Sequence, residues 1–222
     1  MRTPMTVGAL LALGAASTRA QGWDTRLTSV DEYLYEESYE IVLARNAAPD
    51  HIAAEATVLV LERDGYSERS AGSNGFTCLV ERSWSSPIGP HIDFFNPKLR
   101  APICYNAEAA RTVLIEYLRR TELALAGQSI GRIRDSIAHD IGTGKIPAPR
   151  ELAMSYMLSG AQLLGTETGR YKPHVMFHVP YATQAHLGPH RPGRDDPVMF
   201  EHAGGPLAAF IVPVARFNEV PR

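Results

Sequence analysis

The sequence predicts an α+β fold. Its sheet is mixed or largely antiparallel, built from an N-terminal strand meander and C-terminal strands, with a helix pair and an N-terminal helix packed on one side of it. Three observations predict this. Runs of β-branched and apolar residues bounded by Gly, Pro and Asn lie at residues 57–82 and again beyond 152. Between them, residues 106–142 carry apolar side chains at spacings of three and four. The order of strands, helices and strands lacks the βαβ alternation that builds a parallel sheet.

Residues 1–20 read as a secretory signal peptide: Arg2, an uncharged run rich in Ala and Leu, then Thr18-Arg19-Ala20 before Gln21, with cleavage expected after Ala20. The apolar run is nearer ten residues than the roughly twenty that cross a bilayer. Residues 21–222 then form a single globular α+β domain, whose length and 45% hydrophobic content suit one core. Ser29 and Glu32 have capping-box spacing and open a helix that carries Val30, Leu34 and Ile41 and stops before Pro49. Thr57 to Leu61 is a strand, Asp64-Gly65 a tight turn, and Tyr66 to Ala71 a polar edge strand. Phe76 to Arg82 completes the meander, with Cys78 and Val80 on one face and Thr77, Leu79 and Glu81 on the other. Three prolines make Ser83 to Ala101 a loop, and its aromatic residues require that loop to be packed.

Asn106 caps a helix that runs along Val113, Tyr117, Thr121 and Leu125 to Gly127. Ser129 caps a second helix, with Ile130, Ile133, Ile137 and Ile141 on one side. Strands follow at Leu152–Ser159, His174–Val179 and Leu207–Val214. No later stretch reaches membrane-spanning length, because Ala203 to Ala215 is broken by two glycines and two prolines.

The cysteines, Cys78 and Cys104, are the only two in the chain. In an exported chain they read as a disulfide joining the end of a strand to the start of a helix, an arrangement worth about 3 to 4 kcal/mol by loop entropy. Without residues 1–20, the 22 Lys and Arg fall by two to 20 against 24 Asp and Glu, giving a net charge of −4. The bases are scattered, so no nucleic-acid partner is implied.

The chemistry-bearing side chains concentrate late in the chain. His174, His178, His186 and His190 are followed by Asp195, Asp196, Glu201 and His202. His178, His186 and His190 are the candidate catalytic residues, and the same three with Asp195 are the candidate ligands for a transition metal such as zinc. Spacing argues against a ready-made site, since His174 and His178 on one strand stand about 13 Å apart. Gly142-Thr143-Gly144-Lys145 fails as a phosphate loop because the leading glycine and the trailing Ser or Thr are missing. His-Glu-x-x-His, Cys-x-x-Cys and Ser-x-x-Lys are absent, and Gly127-Gln128-Ser129-Ile130-Gly131, which has the Gly-x-Ser-x-Gly spacing, falls where Gly127 ends one helix and Ser129 caps the next rather than on a strand-to-helix turn.

The segments 74–82 (Asn-Gly-Phe-Thr-Cys-Leu-Val-Glu-Arg), 102–106 (Pro-Ile-Cys-Tyr-Asn) and 173–181 (Pro-His-Val-Met-Phe-His-Val-Pro-Tyr) resemble a family of uncharacterised bacterial exported proteins. The resemblance implies an exported single domain and carries over no activity and no site residue. The expectation is therefore a periplasmic or secreted, disulfide-stapled domain without a cofactor. It would bind a small ligand or an envelope partner through loops around Trp84 to Phe95 and Tyr181 to Arg194. The alternative is a metal-dependent or histidine-assisted periplasmic hydrolase.

Overall fold

A computed structural model describes residues 22–191 and 195–219, so the expected signal peptide lies outside the described residues. The chain enters through a 3-10 turn at Asp31–Tyr33 and two helices, α1 (Glu37–Arg45) and α2 (Asp50–Ala53). Three strands follow: β1 (Thr57–Glu62), β2 (Gly65–Ser70) and β3 (Thr77–Arg82). After β4 (Arg100–Tyr105) come α3 (Ala107–Ala110), α4 (Val113–Leu125) and α5 (Ile130–Gly142). The last third holds β5 (Ala153–Met157), β6 (His174–His178), α6 (Gln184–Leu187), β7 (Val198–Glu201) and β8 (Ala209–Pro213). Among the described residues these strands make one eight-stranded sheet in the order β2-β1-β3-β4-β5-β6-β8-β7. Only β1 and β3 run parallel. The α+β class with a mixed sheet is as the sequence predicts.

The meander is not. β3 pairs with β1 at Thr57–Thr77 and Val58–Cys78 instead of lying beside β2. β1 is apolar on both faces and needs a neighbour on each side, whereas β2 exposes Glu68 and Arg69. Charges along an outer strand discourage further pairing, so β2 ends the sheet.

The sequence reading ends its loop at Ala101 and places Cys104 at the start of a helix, but Arg100–Tyr105 is a strand, although a proline is disfavoured in a strand interior. Pro102 is tolerated here because β5 reaches β4 only at Cys104 and Tyr105, and the next bridge on that side is at Arg100. The disulfide therefore joins two strands, with Cys78 directly opposite Cys104 and both residues fully buried.

Helices cover both faces of the sheet, against the expectation of one. Leu43, Ala44 and Ala47 of the α1 region pack on Val58, Val80 and the disulfide. Leu114, Tyr117, Ile133 and Ile137 of α4 and α5 pack on Leu61, Leu79, Ile103 and Tyr105. The even and odd residues of β3 thus serve separate cores, as strand alternation requires. The N-terminal helix begins later than its capping signal implied: Glu36 accepts from the amides of Ser38 and Tyr39, while Ser29 Oγ accepts only from Asp31 N. The helix at Asn106 breaks near Thr112, whose hydroxyl donates to the Glu108 carbonyl at 2.6 Å.

Arg82, at the end of β3, is fully buried on the α1 face. It donates to Glu40 Oε2 at 2.7 Å and to the Tyr33 carbonyl at 2.8 Å, and its guanidinium lies 4.6 Å from the Tyr35 ring centre. Glu40 also accepts from Leu61 N at 3.1 Å. Removing one member of a fully buried pair strands the other charge, at a cost of about 3–5 kcal/mol. Glu40→Ala should lower unfolding stability by about that amount in a urea titration. Arg63→Ala, which breaks the solvent-exposed pair with Asp31, should leave the midpoint unchanged within error.

Candidate functional site

On the α4 face, the sheet does not meet a helix along its whole width. A cavity of about 410 Å³ lies there, floored by Ala101, Met157, Met176 and Ile211 from four strands. The segments around Ser83–Pro87 and Leu163–Tyr171 form its walls, and β7 contributes Val198 and Met199. The two loops are tied together at their tips, where Asp93 accepts from Thr166 N at 3.0 Å. Glu81, Ser85 and His174 are the polar groups that bear most directly on its chemistry.

A second space of about 60 Å³ adjoins it, sharing Glu81, Ser85, Met176 and Phe200, and reaches α4. Arg120 is its central cation, with a side chain 3% exposed. It donates to Glu116 at 2.5 and 3.0 Å, to Glu201 Oε1 at 2.7 Å and to the Ser86 carbonyl at 3.0 Å. His202 Nε2 lies 3.1 Å from Glu116 Oε2. Its backbone φ of 52° marks the sharp turn that brings the ring back towards α4. Burial pushes the Glu116 carboxyl up, but the charge of Arg120 and the hydrogen bond from His202 outweigh it and hold the group at about 2. Burial lowers His202, and the two carboxylates more than reverse that.

Glu81 sits between the two spaces. Its carboxylate accepts from Tyr105 O–H at 2.6 Å, and the nearby Ser85 side chain also favours the ionised form. Burial raises it to about 7, because these contacts and the charge of Arg120 do not offset the lost hydration. Burial also lowers His178 to about 4 and lowers His174. His174 Nδ1 lies 2.7 Å from the Lys172 carbonyl, which fixes Nδ1 as the donor and leaves Nε2 as an acceptor.

The sequence-derived candidates are placed apart. His178 is buried at the end of β6, with Nε2 3.4 Å from Ser155 Oγ and Nδ1 without a partner, and it lines the smaller space. His186 is on α6, where Nδ1 accepts from Thr183 N at 3.0 Å as part of a capping box. His190 is exposed, and Asp195 pairs with Lys172 at the surface. Among the described residues, the one group of three or more His, Cys, Asp or Glu side chains with ligand atoms within 4.8 Å of one another is Glu116, Glu201 and His202. Both carboxylates of that group are engaged by the Arg120 guanidinium. Ser155 is fully buried and lines neither space, so within that pair it is His178 that borders the smaller one.

Sequence reasoning missed Glu81, Glu116, Arg120 and Tyr105 as a group. The available signals were a carboxylate on the core-facing side of β3 and an i, i+4 Glu–Arg pair flanking the apolar stripe of α4. No protein-family model, curated protein or solved structure matches this chain.

Glu81 gives a pH signature. A carboxyl raised on folding contributes stability that is complete below its unfolded value near 4.5 and is lost as pH climbs to about 7. His178, depressed to about 4, acts in the opposite sense, its contribution growing between about 4 and 6.5. The two nearly cancel in the wild type, so the difference from Glu81→Gln is the informative quantity. The stability of wild type relative to Glu81→Gln should fall by on the order of 3 kcal/mol from pH 4.5 to 7.5. Denaturant titrations at three pH values check this.

Proposed function

We propose that this is an exported protein that binds a small, largely apolar molecule in the cavity between the α4 face of the sheet and the loops at 83–87 and 163–171. The observation that carries the reading is the cavity itself. Its 410 Å³ falls within the roughly 300–1,000 Å³ of small-molecule sites, and Met, Leu, Ile, Val and Ala supply nine of its twenty lining residues, beside polar groups that include Glu81, Ser85 and His174. Methionine supports the same reading, because its unbranched chain conforms to varied apolar shapes. Export is supported by the signal-like N-terminus and by a buried disulfide, a bond that persists in oxidising compartments.

The expected binding loops are redistributed. Trp84 and Phe94 are fully buried in the core, so the cavity draws on Ser83 and Ser85–Pro87 instead, and the segment from Tyr181 to Arg191 does not line it. The hydrolase alternative has less support, because the candidate histidines do not converge and the carboxylates of the ionic cluster are already held by Arg120.

Nile red, a neutral apolar dye, should bind saturably at one per chain with enhanced fluorescence. Ala101→Phe, which fills the floor of the cavity, should weaken that binding at least tenfold while the far-UV circular dichroism is kept. Absence of saturable binding, or equal binding by the filled variant, would overturn the proposal. Elemental analysis of natively purified, untagged protein should find transition metal well below one per chain; stoichiometric metal would restore the hydrolase reading.

A further inference from the structure

The geometry points to a ligand that carries an amine, bound as its ammonium ion against the Glu81 carboxylate with its apolar body in the cavity. This rests on the binding reading above and adds the class of molecule.

The argument begins with charge. Glu81 is the only acid lining the large cavity among the described residues. The titratable and charged groups facing it are Tyr105 from β4, Glu116, Tyr117 and Arg120 from α4, His178 from β6, and Glu201 and His202 from the β7 end. Within that set the ionic members are already matched, since Arg120 and His202 are both within ion-pair reach of Glu116 and Glu201. Arg82 and Arg100 also border the cavity, but they are cross-strand partners on the face that carries Glu40. Arg82 is paired there, and Arg100 Nε donates to the Ala161 carbonyl. Glu81 is therefore an acid with a hydrogen bond from Tyr105 and no ion pair of its own.

A buried carboxyl in that position favours one kind of guest. A ligand carboxylate would add a negative charge beside Glu81, Glu116 and Glu201. A neutral ligand would leave the Glu81 proton in place. An ammonium supplies the missing charge and lets the carboxyl ionise in a low-dielectric site, where an opposite charge has its largest effect. His174 Nε2, the acceptor nitrogen of its ring, adds a second site on the lining for an N–H donor. The proton balance is simple: the ammonium enters as R–NH₃⁺, Glu81 gives up its carboxyl proton to solvent, and no bond in the ligand breaks.

The test compares n-octylamine, n-octanol and n-octanoate, which share a chain and differ in the head, by displacement of Nile red from the full mature chain and by calorimetry. Octylamine should bind at least tenfold more tightly than either analogue at pH 7.5. Its affinity should fall about tenfold per pH unit below the Glu81 midpoint near 7, with a proton released on binding at pH 6 and almost none at pH 8.5. In Glu81→Gln the ratio of octylamine to octanol affinity should collapse towards one. Should that variant not fold, the pH dependence and proton release in wild type decide alone. Equal affinity for the three compounds, or an octylamine affinity flat between pH 5.5 and 8, overturns the amine assignment while saturable Nile red binding leaves the cavity reading standing. If Nile red itself finds no saturable site, both fail.

Discussion

A guanidinium with no access to water has to be surrounded by acceptors, and on one side of this sheet that requirement organises the surroundings of the cavity. Arg120 reaches Glu116 on its own helix, Glu201 at the end of β7 and the carbonyls of the segment after β3. Three parts of the chain far apart in sequence are thus held to one charge. Desolvating such a group costs several kcal/mol, which only a complete set of partners offsets. The segment 83–87 and strand β7, which the cavity uses as walls, are fixed in place as a by-product of satisfying Arg120. Arg82 does the corresponding work on the opposite face, joining the end of β3 to α1 and to the turn before it. The two networks give each core a polar interior that packing alone would leave free to slide.

Much of the framework was legible because it follows local rules. Alternation on β3 sorted Cys78 and Val80 from Leu79 and Glu81, and the isoleucine stripe of α5 marked its buried side. What failed did so for non-local reasons. β4 contains a proline whose missing N–H matters only if a strand pairs beside it, and the sequence does not say where β5 stops. β7 is short and half-exposed, with little periodicity to detect. The placement of β3 beside β1 depends on which edge of a hairpin is better buried, a comparison between strands. The site was least visible of all. Glu81, Glu116 and Glu201 lie on different elements, and each alone reads as an ordinary charged residue. The histidines of the 174–190 region drew attention through their density, yet density along the chain is not proximity in space. His178 entered the cluster and His186 became a helix cap.

The sheet ends differently on its two sides. β2 closes one edge with Glu68 and Arg69 turned to solvent, the ordinary protection of an outer strand. β7 closes the other with Phe200 exposed, while its neighbours Val198 and Met199 line the cavity and Glu201 holds Arg120. That strand is at once a boundary of the sheet, a wall of the cavity and an anchor of the ionic cluster, and its register against β8 shifts between Met199 and Glu201. The irregularity matches its divided duty, since a regular strand would direct these side chains by strict alternation.

Cys78 and Cys104 are usually read as a clamp, but they also act as a parity lock. Side chains along a strand repeat every second residue, so a slip of one position between paired strands would exchange inside for outside along the whole segment. With Cys78 bound to the residue directly across from it, β3 and β4 have one alignment only. Even-numbered side chains of β3 then face α1 and odd-numbered ones face α4. Three residues on, an odd number, Glu81 emerges on the cavity side, and Arg82 one residue later meets Glu40 on the other. A bond with no chemistry of its own thereby decides which of two neighbouring charged residues turns towards α4 and which pairs with Glu40 on the other face.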